Sequence, residues 1–231
     1  MIVALLPLGL GIFTQYFSYN IPAINPTPAS SSPAQIPAVQ VTLLLPQALQ
    51  LVEQGRLDAA LDKLNAIIQA EPKNPDAYAL RGTIYAEKKL WDQAEKDFQT
   101  VLLLDDNNVH IKFNLAEIEF KQKKYETARP GFFVLRQDPD VGDLATYRVF
   151  LCDLFGGHED VAAEELDAFN RVGSNPSYYF ANVAWSLYHH KMEDARDWLK
   201  SAVDIYAPYK IKSYAACLFD LGYLPIPSLQ H

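Results

Sequence analysis

The stretch YALRGTIYAEKKLWDQAEKDFQTVLLL, running from Tyr78 to Leu104, decides the fold. Tyr78, Gly82 and Tyr85 recur at steps of four and three, and Ala94, Phe98 and Val101 repeat those steps after a short break. Residues at zero, four and seven share one face of a helix, so the stretch reads as two helices joined by a turn near Lys88 and Lys89. Gly82 and Ala94 are the small residues that let two antiparallel helices approach closely. Phe98 and Val101 then fill the space beside them.

The second half of this unit returns along the chain. Ala60, Ala94, Ala128, Ala162 and Ala195 stand at steps of 34, 34, 34 and 33 residues. Leu64, Phe98, Phe132, Leu166 and Leu199 follow four residues later, and Ile67, Val101, Leu135, Phe169 and Ala202 seven later. A helical face recurring at this period predicts stacked helix pairs rather than one core around a catalytic cleft. Upstream of each alanine lies a first-helix signal: Leu44, Ala48 and Leu51; Tyr78 to Tyr85; Leu115 and Ala116; Tyr147, Phe150, Leu151 and Leu154; Phe180, Val183, Ala184 and Leu187.

This pattern resembles the tetratricopeptide repeat (TPR): aromatic, large, small and aromatic on the first helix, then alanine and a large apolar residue on the second, with a proline near the end. The resemblance implies an all-α, right-handed α-solenoid of about five helix-turn-helix repeats, spanning about 41–74, 75–108, 109–141, 142–175 and 176–208. A capping helix at about 210–222 is expected to cover the fifth repeat, and residues 225–231 form a tail. Nothing in composition divides 41–224, which reads as one solenoid. Gln47, Lys112, Glu119 and Asp106 depart from the pattern, and Pro130 falls inside a second helix, where it removes a backbone donor. Gly55 and Gly157 mark turns within pairs. Asp92 with Glu95 reads as a capping box, and Asp58 and Asp194 as further helix caps.

The amino-terminal region has a different character. The first charged residue is Glu53. Residues 1–20 begin with an apolar run and read as a signal-like or anchor segment. Residues 21–40, with Pro22, Pro26, Pro28, Pro33 and Pro37, read as a Pro/Ser-rich linker with a reach of ~60 Å. A secretory signal, a membrane anchor and a misplaced start all fit residues 1–20, which lack a preceding Lys or Arg and carry Thr14, Gln15 and Ser18. The favoured expectation is an exported or membrane-anchored protein on the envelope or periplasmic side, with a cytoplasmic protein as the alternative.

Charge and chemistry narrow the function. A net charge of −8 with no basic patch argues against nucleic acid. No metal or cofactor motif is present, and His110, His158, His189 and His190 have no ligand-spaced partners. An enzyme pairing Cys152 with a groove histidine such as His189 is the minor alternative, and no catalytic residue is assigned. The resemblance implies noncatalytic protein binding, as an adaptor or assembly factor, with first helices lining a concave groove. On those helices, Phe113, Asn114, Glu117, Arg148, Asn182 and Trp185 fall outside the packing pattern and are the candidate residues for a partner peptide or helix. The other alternative is a carrier chaperone shielding an apolar client segment. The Lys, Asn and Arg clamp by which some TPR domains hold acidic C-termini is not matched, because Leu45, Leu49 and Leu80 occupy its positions.

Overall fold

The computed structural model describes residues 38–172, 175–220 and 222. The expected signal-like segment and almost all of the linker lie outside the described residues. Within them the elements are helices only: α1 (Ala38–Glu53), α2 (Leu57–Ala70), α3 (Pro75–Glu87), α4 (Trp91–Leu104), α5 (Val109–Lys121), α6 (Tyr125–Phe133), α7 (Gly142–Gly156), α8 (Glu159–Val172), α9 (Pro176–Tyr188), α10 (Met192–Ile205) and α11 (Pro208–Asp220). Helices α1 to α4 belong to one compact unit ending at Asp106, and α5 to α11 to a second beginning at Asn107.

In the first unit α1 packs on α2, α3 on α4, and α2 on α3. The reason is the small–large pairing read from the sequence. A Cβ added to Gly82 would lie 2.7 Å from the Phe98 ring, so only glycine lets α3 and α4 meet there. Ala60, Leu64, Ile67, Ala94, Phe98 and Val101 are buried. Arg81, where the repeat pattern calls for a large apolar residue, lies along the rings of Tyr78 and Tyr85. It grips Asp97 of α4 through two bonds of 2.7 Å.

The second unit repeats the arrangement with α5–α6, α7–α8 and α9–α10, and α9 also packs on α7 and α8. Ala128, Ala162 and Ala195 are buried. Pro130 shortens α6 to nine residues, against fourteen for α4 or α8. The adjacent Gly131 sits so close to α5 that a Cβ would lie 2.9 Å from that of Ala116.

All five turns within pairs share one geometry. Gly55, Lys89, Lys123, Gly157 and His190 have φ of 72°, 59°, 60°, 88° and 58°. They stand at the same steps of 34, 34, 34 and 33 residues as the alanines. After each, an amide reaches back to the preceding helix: Arg56 to Leu51, Leu90 to Tyr85, Lys124 to Glu119, His158 to Asp153 and Lys191 to Ser186, at 2.8–2.9 Å. This is the six-to-one bond of a Schellman motif, which satisfies carbonyls that the helix end leaves open.

The helix starts differ from the sequence expectation. Leu90, Arg56 and Lys191 occupy the cap positions of α4, α2 and α10, and none makes a side-chain cap bond. Asp92, Asp58 and Asp194 lie inside the first turn, where they meet the positive end of the helix dipole without capping it. The side-chain caps are instead asparagines. Asn74, Asn108 and Asn175 accept bonds from the amides of Ala77, Ile111 and Tyr178 at 3.0–3.1 Å. A second correction concerns α11, expected on the last pair alone. It packs on α9 and α10 and also reaches back to α7.

Candidate functional site

The first helices α5, α7 and α9 carry the six residues singled out from the sequence. Glu117 of α5 and Arg148 of α7 meet in an ion pair whose side chains are 2% and 3% exposed. Burial works against the Arg148 charge, but Cys217 and Glu117 outweigh it and the guanidinium pKa is raised. Asn114 lies one turn before Glu117 on the same face of α5. It is buried, and neither its carboxamide oxygen nor its nitrogen has a hydrogen-bond partner. Phe113 is buried with its ring 5.0 Å from that of Phe132. On α9, Asn182 is buried and donates to the Tyr178 carbonyl at 2.9 Å. Trp185 is half-buried, with His189 at 4.4 Å from its ring. Sequence reasoning expected these side chains to stand open to a partner. The structure covers five of the six.

The cover over Arg148 is α11, whose inward face is Ile211, Tyr214, Ala215, Cys217 and Leu218. Arg148 donates from Nη2 to the Ser213 carbonyl at 3.2 Å, while its Nη1 has no partner. The Tyr214 ring lies 5.5 Å from that of Tyr147 and 5.8 Å from that of Phe180. Its hydroxyl donates to the Asp143 carboxylate. Burial, and next the Asp143 charge, push the Tyr214 phenol well above its usual value, so it stays a donor at neutral pH. The Cys217 sulfur is 3.8 Å from the Tyr147 hydroxyl. At the far end, Lys121 of α5 pairs with Asp220 of α11 at 2.9 Å. A helix with one apolar face and three anchored polar points therefore lies across the first helices.

Asp143, Tyr147, Lys121, Tyr214 and Asp220 thus join the candidate site, a place the sequence reading did not give them. The signal for Tyr214 was present in the amphipathic pattern of α11. The landing place of that helix was not, because it depends on contacts some seventy residues apart in the chain.

The cysteine–histidine alternative fares poorly in this geometry. Burial pushes the Cys152 thiol far above its usual value, away from the thiolate that nucleophilic chemistry needs. His189 has Nδ1 at 2.8 Å from the Trp185 carbonyl and Nε2 at 2.9 Å from Glu159. Those contacts raise its pKa, the carbonyl first and Glu159 next. Among the described residues no group of three His, Cys, Asp or Glu is placed to hold a metal ion. A cleft of about 390 Å³ opens beside Arg136, Asp143, Glu165 and Phe169. Burial, and next the Asp153 charge, push the Glu165 carboxyl up to about 7.

Helix pairs joined by left-handed turns, with small residues at the crossings, define a helical-repeat fold of the solenoid class. Two tetratricopeptide repeat family models match the chain, over residues 51–107 and 90–141. Residues 51–141 of the chain thus carry tetratricopeptide repeats.

Its likeness to a tetratricopeptide repeat protein from Parabacteroides merdae covers 78% of this chain and 71% of that one, at 20% identity and a TM-score of 0.60. Likeness to PilW, described as a widely conserved type IV pilus biogenesis factor, covers 80% of this chain and 87% of that one, at 17% identity and a TM-score of 0.58. At these identities the likeness shows the fold alone. The DnaJ protein P58IPK homolog A of Oryza sativa subsp. japonica is 27% identical over 89 residues, 38% of this chain. The chain spans about a fifth of the length of that curated relative, since the match covers 19% of it.

Proposed function

We propose that this chain is a noncatalytic adaptor or assembly factor whose partner, a peptide or helix, meets the first-helix face of the second unit. One observation carries the reading: the face formed by α5, α7 and α9 already receives an amphipathic helix, α11, through a buried apolar strip and side chains at Asp143, Arg148 and Lys121. Apolar anchors combined with a few fixed polar points are what helix-in-groove recognition requires. Trp185 and Tyr188, both half-buried on α9, offer aromatic surface of the kind that anchors interfaces.

The test is photo-crosslinking from position 185 of the full chain in its native host. Adducts to one or a few proteins, reduced when Tyr188 is replaced by alanine, support the reading. Adducts that arise only within the chain itself remove it.

The setting belongs to the same proposal. No described helix is long and apolar enough to cross a membrane. The apolar run in residues 1–13 and the prolines after it support a repeat domain held on the envelope side, a setting consistent with the likeness to a pilus biogenesis factor. Fractionation with and without residues 1–20 tests it: the full chain is expected with the envelope and the shortened chain in the soluble fraction. Identical behaviour of the two sinks the idea.

A further inference from the structure

We propose that α11 is a displaceable plug on the face it covers, and that the displacing partner is an amphipathic helix bearing an amide side chain on its apolar face. The proposal rests on the reading above and adds to it the regulation of the site and the chemistry of its ligand.

Three observations lead to it. First, α11 extends beyond the pair that precedes it: its contacts run to Asp143, Tyr147 and Arg148 on α7 and to Lys121 at the end of α5. A helix that only capped α10 would need none of these. Second, its attachment is a short extended joint. Tyr206, with φ −112° and ψ 140°, is extended, and Pro208 starts α11 two residues later. Rotation about Ala207 would swing α11 away while keeping the bond from the Tyr206 amide to Ala202 and the packing of its ring on Tyr179.

Third, the fit of α11 is uneven. Its apolar strip is well buried, yet buried polar groups on α7 and α5 are left without partners. Arg148 Nη1 and both polar atoms of the Asn114 carboxamide have no partner. Buried donors and acceptors without partners cost stability, so an occupant that satisfies them outcompetes one that does not. An amide side chain presents one acceptor and two donors, which complements a carboxamide and a guanidinium NH₂ together. A carboxylate would suit Arg148 Nη1 but would be repelled by Glu117, which already pairs with that arginine. Cys217 of α11 lies against Tyr147 and next to the charges of Arg148 and of Glu117, one helical turn from Asn114, which makes it the position for the amide in a test.

The test uses the full chain and fluorescein-labelled synthetic peptides of residues 206–222. One peptide has the native sequence and the other carries Cys217→Asn. In the host chain, Tyr214→Phe with Asp220→Lys removes two of the polar anchors of α11 while keeping its apolar face. We expect the native peptide to bind this loosened chain at least tenfold tighter than the unaltered chain. We expect the Asn peptide to bind tighter again by a similar factor, and that gain to vanish when the host also carries Asn114→Ala.

Equal binding to the loosened and unaltered chains, with helicity retained in both, overturns the plug. Loss of amide-exchange protection in α7 and α9 of the loosened chain does so too, because α11 is then part of the core. A loosened chain that elutes as a dimer points to exchange of α11 between two copies and overturns the separate partner. Peptide exchange without a crosslinked partner at position 185 removes the proposed function and leaves the plug standing. The opposite result does the reverse.

Discussion

Lys121, the last residue of α5, pairs with Asp220, the last residue of α11, at 2.9 Å. The lysine side chain is 13% exposed and the aspartate 48%, so the contact is a clasp at the rim of the covered face and not part of the core. Exposed pairs of this kind contribute ~0–1 kcal/mol. Asp220→Asn is therefore expected to leave the melting temperature of the full chain nearly unchanged while raising amide exchange in α11. Unchanged exchange would show that the clasp does not hold the helix.

The Glu117–Arg148 pair lies at the opposite extreme of burial. Arg148→Met strands a buried carboxylate, for which a loss of ~3–5 kcal/mol is expected. Adding Glu117→Leu removes the stranded charge and should recover most of that loss. Urea unfolding of both single variants and the double variant, followed by circular dichroism, measures the coupling. Additive losses would mean that the two residues do not act as a pair.

Lys89, Lys123 and His190 hold a left-handed backbone conformation that suits glycine. Lys89→Gly and Lys123→Gly should each stabilise the chain by ~0.5–1 kcal/mol, since the relief of strain exceeds the added entropy of the unfolded chain. Gly157→Ala should cost a similar amount. Chemical denaturation of the three variants checks the signs.

Glu165 faces Asp153, which is already gripped by Arg129 at 2.7 and 2.9 Å. Its folded pKa is raised to about 7, so between the usual carboxylate value and 7 the folded chain binds a proton that the unfolded chain has lost. Stability then falls as pH rises through that window. Glu165→Gln should flatten the fall and stabilise the chain above pH 7 by ~1–3 kcal/mol. Melting temperatures from pH 4.5 to 8 for both proteins decide the matter. An unchanged slope in the variant would assign the pH dependence elsewhere.

Both thiols are free and buried, and burial pushes Cys217 up to about 11 and Cys152 higher still. Maleimide labelling of the native chain at pH 7 should be slow at both. Cys217 should react faster than Cys152 if α11 opens on its own, and Asp220→Lys should widen that difference. Rapid labelling of Cys152 in the native state would revive a nucleophilic role for it.

The pairing of helices was legible in the sequence because it depends on short-range spacing. Alanine, large residue and turn recur together, and Ala60, Leu64 and Gly55 occupy the places their period implies. Helix starts were harder to read. An acidic residue near a start caps only if the helix begins immediately after it, and Asp92 lies one residue inside α4. The caps at Asn74, Asn108 and Asn175 were available as asparagines just ahead of a proline or valine, on the same repeat period. The six candidate residues lie off the small–large repeat positions, yet Phe113 packs its ring on Phe132 within its own pair. Their burial was not legible, because what covers Arg148 is a helix whose docking depends on distant contacts such as Ser213 to Arg148 and Tyr214 to Asp143.

The five left-handed turns have an electrostatic consequence. Each first helix ends with its carbonyls, and so its partial negative charge, pointing into a turn. In the second, third and fifth pairs those ends carry Lys88 and Lys89; Lys121, Lys123 and Lys124; and His189, His190 and Lys191. A chain with a net charge of −8 thus places lysines at the tips of three first helices. Because the Schellman bonds hold the backbone in place with either glycine or a side chain there, the tip residue is free to carry charge. Two of these lysines already commit that charge within the chain, Lys88 to Asp58 and Lys121 to Asp220.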